Sequence, residues 1–425
     1  MLVSFTLRNW RSFRDEATLS MLATAERRFA WTLPRFSKAS PKLLPIAAIY
    51  GANASGKTNF FKGLSFFAKF ILRGVEEGKP IAVSPYKLNP QKASEPTYFS
   101  VTLLTSGTLY KYTLSLTPKS VVYEKLEKLS LKGKNTILFE RQEGKDIYLN
   151  SSIDEARIRF VYEGTQDNLS FLTAAFKQKV KFVEPIYEWF RSSLIFIGTN
   201  SVYGADSIFD NGCQLQTELS NYLSRYDTGI SGLRSQPLPD IPHLDSLPQN
   251  IIASGRRLRI SKNDDGGVKI SVLKAMHHDS NGEEVYFDFK EESDGTARLL
   301  DLLPVLMLCR AYPKNEKVFI IDEIDRSLHP NLVVKMITEF LERCSSETRF
   351  QLIMTTHDTN LMNQKILRRD EMWIINKNYT GSEIYSISDY KNIRFDTILD
   401  KLYKEGRFGG VPKVITPILA EKNRS

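Results

Sequence analysis

Ile49-Tyr50-Gly51-Ala52-Asn53-Ala54-Ser55-Gly56-Lys57-Thr58 is the stretch on which the fold of this chain turns. It fits the pattern G-x-x-x-x-G-K-[ST], a phosphate loop. Pro45-Ile46-Ala47-Ala48-Ile49-Tyr50 before it reads as a buried strand. Thr58-Asn59-Phe60-Phe61-Lys62-Gly63-Leu64 after it opens a helical apolar pattern. Gly51 and Gly56 allow the tight backbone that aims successive N–H groups, from Asn53 to Asn59, at phosphate oxygens, and the helix start adds its positive dipole end. Lys57 is expected to reach the β- and γ-phosphates of ATP and the Thr58 hydroxyl to hold Mg²⁺.

The second half of such a site lies far downstream. Lys317-Val318-Phe319-Ile320-Ile321 is an apolar run ending in Asp322-Glu323. Asp322 is expected to hold the Mg²⁺ shell. Glu323 is expected to orient and polarise the attacking water, a general-base role. Acidic pairs also cap loops at strand ends. Further on, Phe350–Thr355 reads as a buried strand, followed by Thr356-His357-Asp358. His357 there is either a turn residue or a γ-phosphate contact, since imidazole can donate to phosphate.

Between these halves the pattern changes. Tyr98–Leu104 and Leu109–Leu114 alternate with period two around Thr105-Ser106-Gly107-Thr108, a hairpin, and Val121–Leu126 and Ile137–Arg141 extend it into an antiparallel meander. Asn168–Phe190 has helical spacing, with Leu169, Leu172, Phe176, Val180 and Val183 as its expected buried stripe. Residues 200–250, notably Ser235–Pro242, read as loops joining short helices. Strand Val285–Phe289, helix Gly295–Arg310 with Pro304 inside it, and helix Leu332–Cys344 follow. Strands without alternation, interleaved with helices, call for a largely parallel, helix-covered sheet. The reading is therefore α/β, with a phosphate-loop core split by its middle: residues 1–164 as one lobe, 165–260 as a mainly helical insertion, and 261–425 as the second lobe. Trp373–Tyr390 reads as a strand pair closed by a helix, with Asp370, Glu371 and Asp389 as ordinary loop positions.

Composition bounds the remaining choices. The net charge of +9 comes from 58 basic and 49 acidic residues, which permits a nucleic-acid or acidic partner without requiring one. Lys125–Lys134 and Arg256-Arg257-Leu258-Arg259 read as solvated charge. No apolar run approaches bilayer length, the first residues lack a signal peptide's apolar core, and Cys213, Cys309 and Cys344 form neither a disulfide framework nor a zinc spacing. A cytoplasmic protein without a membrane role is expected.

With these residues placed, the chain resembles the ABC-type ATPases of the SMC/RecF-like branch, most nearly the AAA-domain ATPases of OLD-like and abortive-infection phage-defence systems. The resemblance rests on Asn9-Trp10-Arg11-Ser12-Phe13, Asp322-Glu323-Ile324-Asp325-Arg326-Ser327-Leu328-His329-Pro330 and Thr355-Thr356-His357-Asp358. Gly406-Arg407-Phe408-Gly409-Gly410-Val411-Pro412 looks like the family's closing motif, with no role derivable from sequence. The resemblance implies an ABC-type core with a mixed sheet, Arg11 near the nucleotide, and His357 as the switch histidine. It also places Glu292-Ser293-Asp294-Gly295-Thr296-Ala297-Arg298 where the ABC signature stands. Ser293 and Gly295 would then meet nucleotide held by a second copy, although Ser293 or Asp294 also suits an ordinary N-cap. Two departures stand out: Asp294 precedes a single Gly295 where two glycines are usual, and His329 replaces an aspartate. Gln91 is a candidate for the inter-lobe glutamine by order alone. No Toprim nuclease domain is visible.

The implied activity is ATP hydrolysis in an ATP-dependent homodimer or higher oligomer, a nucleotide-driven switch controlling a separate effector, nuclease or toxin, in anti-phage defence. The alternative is a DNA-binding RecF/SMC-like repair ATPase, whose sign would be ATP-stimulated, salt-sensitive DNA binding.

Overall fold

The computed structural model describes residues 1–412 except 38–39, 77, 154, 199–212, 227, 239–257, 263–267, 392 and 395–396. The Pro239–Pro242 part of the expected loop and the Arg256-Arg257 pair lie outside the described residues.

Strands β1 (Leu2–Arg8) and β2 (Ala17–Ser20) precede β3 (Ile46–Tyr50), which enters the phosphate loop, and a helix over Lys57–Arg73 leaves it. The meander follows as β4 (Thr97–Thr105), β5 (Thr108–Leu116), β6 (Val121–Leu129), β7 (Thr136–Gln142) and β8 (Tyr148–Leu149). Its first hairpin turns through Ser106 and Gly107, both left-handed at φ 47 and 76, the two-residue turn whose twist matches that of the strands. Strand β9 (Leu194–Ile197) comes next, then β10 (Gly232–Pro237), β11 (Leu258–Lys262), β12 (Val268–His278) and β13 (Glu284–Asp288). A long helix, Asp294–Ala311, leads to β14 (Lys317–Ile321), and helix Pro330–Glu342 to β15 (Phe350–Thr355). The chain closes with β16 (Met372–Asn378), β17 (Gly381–Ser386) and helix Leu399–Lys404.

Among the described residues three sheets form. One is the antiparallel sheet β2-β1-β4-β5-β6-β7-β8; the second pairs β12 with β10 on one edge and with β11 and β13 on the other. The third, β17-β16-β3-β15-β14-β9, carries the phosphate loop and is parallel except for β17. Its side chains alternate between two cores, as a pleated strand requires. Ala47, Ile49, Val318, Ile320, Ile353 and Ile375 face helix Lys57–Arg73 and the antiparallel sheet. Ile46, Ala48, Tyr50, Phe319, Ile321 and Met354 face the helices over 294–311 and 330–342. Burial on both faces explains the unbroken apolar runs that mark these strands in sequence.

The middle differs from expectation in two ways. The 168–190 stretch is not one helix but breaks into Phe171–Lys177, Lys181–Val183, Glu184–Glu188 and a wide turn over Trp189–Ser193. Lys179 sits at φ 59 between the first two pieces, and Pro185 has no N–H to continue the ladder. Leu172, Val180 and Val183 are buried as expected, Leu169 and Phe176 only partly. Residues 165–260 also supply β9 to the nucleotide sheet beside β14, and β10 and β11 to the smaller sheet. Buried Glu124 fastens the meander to this segment. It accepts from Tyr112 Oη (2.8 Å), Arg141 Nε (2.8 Å), Phe171 N (2.7 Å) and Leu172 N (2.9 Å), the last two at a helix N-terminus that favours an anion.

Asp370 and Glu371, expected as ordinary loop positions, are buried. Arg368 donates to Asp370 Oδ1 and Oδ2 at 2.8 and 2.7 Å, and its Nη1 reaches the Glu26 and Arg28 carbonyls. Thr24 bonds Asp370 through both N–H and hydroxyl. A buried pair with its remaining hydrogen bonds filled is tolerable in a core, and this one holds the N-terminal segment against β16.

Candidate functional site

The phosphate loop keeps its shape because two of its residues have no room for a side chain. A Cβ at Gly51, whose φ is 156, would collide with the Ile375 carbonyl and lie 2.7 Å from Ser55 Oγ. One at Gly56, at φ 119, would lie 2.6 Å from Ser382 Oγ and 2.8 Å from Ser12 Oγ. Ala54 is also left-handed, at φ 62. Asn53, Ala54 and Thr58 are exposed, whereas Ser55 is buried and its hydroxyl has no hydrogen-bond partner. Lys57 folds back over the loop, its Nζ donating to Gly51 O at 2.7 Å and Ala52 O at 3.2 Å. Burial first lowers its pKa, against the pull of Asp322, Glu323 and Asp325. The ammonium group is therefore within electrostatic reach of those three carboxylates.

Strand pairing brings the downstream acids to the loop. Ile321 of β14 pairs with Met354 of β15, so the next residues along each strand, Asp322 and Thr355, meet. Thr355 Oγ1 donates to Asp322 Oδ1 at 2.6 Å and accepts the Glu323 N–H at 2.7 Å. Glu323 sits in the left-handed region at φ 50, a strained conformation that recurs where geometry serves chemistry. Arg298, buried in the helix after the signature-like segment, donates from Nη2 to the carbonyls of Asp322 (3.2 Å) and Glu323 (3.3 Å) and from Nη1 to Gly198 O (3.0 Å). The His357 N–H bonds Asp325 Oδ2 at 3.0 Å. Partial desolvation, and then Lys57, push the His357 pKa below its ordinary 6.5, with Asp325, Glu323 and Asp322 opposing. The shift favours the neutral imidazole, which can donate to one group while accepting from another.

The N-terminal motif also reaches the loop, through residues other than Arg11. Asn59 Nδ2 donates to Ser12 Oγ at 3.1 Å, and Trp10 Nε1 to Asn59 O at 2.9 Å. Arg11 is exposed and stacks on Trp10, 5.3 Å from the ring centroid. Ser382 knits both together, its N–H on Ser12 O at 2.7 Å and its hydroxyl on Ser55 O at 2.5 Å.

Ser293 and Gly295 open the helix that carries Arg298. The Ser293 hydroxyl caps the helix over Asp294–Ala311, accepting the Thr296 N–H at 3.0 Å. Gly295 leaves room for the Ser327 carbonyl, which a Cβ would approach to 2.6 Å. His329 likewise caps its helix, Nδ1 accepting the Asn331 N–H at 3.2 Å. Gln91 is exposed in the short helix Pro90–Ser94.

The residues present fit Mg·ATP. The glycine-walled loop, the orphan Ser55 hydroxyl and the ammonium of Lys57 form a phosphate cradle, with Thr58 and Asp322 the oxygen donors for a small hard cation. Thr355, Arg298, Ser12 and Ser382 are the supporting residues that reading the sequence missed. Thr355→Val should lower ATP turnover by about 100-fold, the cost of misplacing reacting groups by an ångström. Steady-state kinetics beside an ATP titration would check this, because binding should change far less.

Comparison with known proteins agrees with the family reading. No curated protein matches the sequence. Among solved structures, the SMC head domain from Thermotoga maritima is similar at 14% identity and a TM-score of 0.37, over 91% of this chain and 98% of that one. An SmcHead bound to the C-winged helix domain of ScpA matches at 13% identity and 0.37, over 91% and 97%. An Smc head domain with an extended coiled coil, bound to the C-terminal domain of ScpA derived from Pyrococcus furiosus, matches at 11% and 0.35, over 96% and 99%. The family described as "AAA domain, putative AbiEii toxin, Type IV TA system" matches residues 46–363, from the strand before the phosphate loop to just past His357. The chain belongs to that AAA-domain family.

Proposed function

We propose that this protein is an ATP-hydrolysing switch whose two nucleotide sites are each completed by a second copy of the chain, and that it controls a separate effector in anti-phage defence. The observation that carries the reading is the division of parts. Lys57 and His357 are within electrostatic reach of Asp322 and Glu323 in one chain, whereas Ser293 and Gly295 stand at the N-terminus of the helix over Asp294–Ala311. A helix N-terminus with a hydroxyl and a close backbone approach suits a phosphate presented from another molecule. The family's description, which names a toxin system, is in keeping with an effector under ATP control.

In the proposed cycle the loop N–H groups and Lys57 bind the triphosphate. Thr58 and Asp322 would hold Mg²⁺, which would offset charge on the phosphate oxygens. Glu323 accepts a proton from the attacking water as its oxygen bonds the γ-phosphorus and the bond from that phosphorus to the β,γ-bridging oxygen breaks, releasing ADP and phosphate. His357, neutral, donates to the γ-phosphate. Closure then depends on ATP binding the paired state more tightly than the open one.

The test uses two inactive variants. Ser293→Asp keeps an effective N-cap but sets a negative charge against phosphate; Lys57→Ala empties the phosphate loop. Each alone should hydrolyse no ATP. Mixed, they should recover part of the wild-type rate, because one site of each mixed dimer has both intact halves. A mixture as inactive as its components would reject the shared site.

A further inference from the structure

The Gly406–Pro412 motif, which sequence left without a role, lies behind the phosphate loop. Gly409 and Gly410 are both left-handed, at φ 67 and 68, so few other residues suit them. Three tyrosine hydroxyls converge on this short backbone. Tyr385 Oη donates to Phe408 O at 2.5 Å, Tyr390 Oη to the same carbonyl at 3.4 Å, and Tyr403 Oη to Gly410 O at 2.8 Å. The Gly410 N–H donates to Asn376 Oδ1 at 3.1 Å. Phe408 is buried against Tyr390, with ring centroids 5.1 Å apart.

This brace bears on Gly51. A Cβ on Gly410 would lie 2.7 Å from Ile374 Cγ2, 3.5 Å from Tyr403 Cε2 and 3.6 Å from Gly51 Cα. The Tyr403 ring packs 6.2 Å from that of Tyr50, the residue before Gly51. The other side of Gly51 is closed by Ile375 O. Gly51 thus lies between β16 and the C-terminal loop, and its carbonyl is the nearer of the two that accept from Lys57 Nζ, at 2.7 Å. The Phe408 ring supplies packing to this loop. Beyond that packing, three backbone groups are held by four polar side chains, as expected where position matters as well as volume.

We infer that Gly410 and Tyr403 are positioning residues for nucleotide binding: the Phe408–Gly410 loop sets the place of Gly51, and through its carbonyl that of the Lys57 ammonium group. The inference rests on the nucleotide-site reading above. Neither residue touches the water-activating carboxylates, so loosening the brace weakens ATP binding and leaves the chemical step intact.

The full chain carrying Gly410→Ala or Tyr403→Phe tests this, with ATP affinity by calorimetry, KM and kcat by steady-state kinetics, and the unfolding midpoint without nucleotide. Gly410→Ala should raise Kd and KM for ATP about tenfold and Tyr403→Phe about threefold, the latter the scale of one hydrogen bond. In both, kcat should stay near wild type. Should Gly410→Ala fail to fold, Tyr403→Phe decides alone. Lower unfolding midpoints with unchanged Kd and KM would overturn the inference and leave the loop a packing element. Failure of the wild-type chain to bind ATP would overturn the nucleotide-site reading and the inference together.

Discussion

Glu323→Gln should bind ATP as the wild type does and hydrolyse it 10²–10⁴-fold more slowly, roughly the contribution of a positioned general base. The substitution keeps the shape of the side chain and every backbone contact that aims it. The Glu323 N–H on Thr355 Oγ1 and the Arg298 Nη2 bond to the Glu323 carbonyl involve main-chain atoms only. What is lost is the ability to accept the proton. The strained φ of 50 at this residue costs about 1–3 kcal/mol, and the variant carries the same cost, so its folding stability should be nearly unchanged. With hydrolysis blocked and binding intact, the closed assembly should persist. Light scattering after size exclusion in Mg·ATP should therefore find a larger species that is absent without nucleotide. Turnover above roughly a tenth of the wild-type rate would take Glu323 out of the general-base role. A slow variant that stays monomeric in ATP would leave the base assignment standing and remove the dimer switch.

Lys57→Ala should lose ATP affinity by at least about 100-fold, since charge-assisted hydrogen bonds to phosphate are worth about 1.5–3 kcal/mol each. The electrostatics enlarge the loss. The Lys57 ammonium group is a cation within electrostatic reach of Asp322, Glu323 and Asp325; without it, these carboxylates meet the incoming triphosphate less compensated. Because burial is the first cause of the lowered Lys57 pKa, the nucleotide-free fold does not gain much from the charge, and the variant should remain folded. Calorimetry showing wild-type affinity would sink the phosphate-loop assignment.

The parts of the site legible in sequence are those whose geometry is local. Gly51, Gly56, Lys57 and Thr58 are related by a single turn, so their spacing alone specifies the loop. Asp322 and Glu323 end an apolar strand whose burial is written in its composition. Thr355 is different: it matters because Ile321 pairs with Met354, and strand register across a sheet leaves no mark in either strand alone. Arg298, Ser12 and Ser382 depend in the same way on contacts between distant segments. Asp370 looked solvated because Thr24, which bonds it, and the Glu26 and Arg28 carbonyls that hold its partner Arg368 are hundreds of residues away. Strand β9 stayed hidden because four apolar residues after a helix-like stretch are too short to set a period. Of Ser293 the sequence allowed two readings; the structure has the hydroxyl capping its own helix, which does not bar a phosphate brought from outside.

The neighbours of β3 in its sheet are β15 and β16, so the strand that carries the phosphate loop has no partner until Phe350–Asn378 has been made. About 300 residues separate them, or ~15–60 s of translation at ~5–20 residues per second. In that interval the meander can pair strand by strand with its neighbours in sequence, whereas Ile46–Tyr50 remains an apolar strand with both edges open. A nascent chain should therefore acquire ATP binding only near the end of synthesis, and a truncation before β15 should aggregate through that strand rather than persist as a partly active switch.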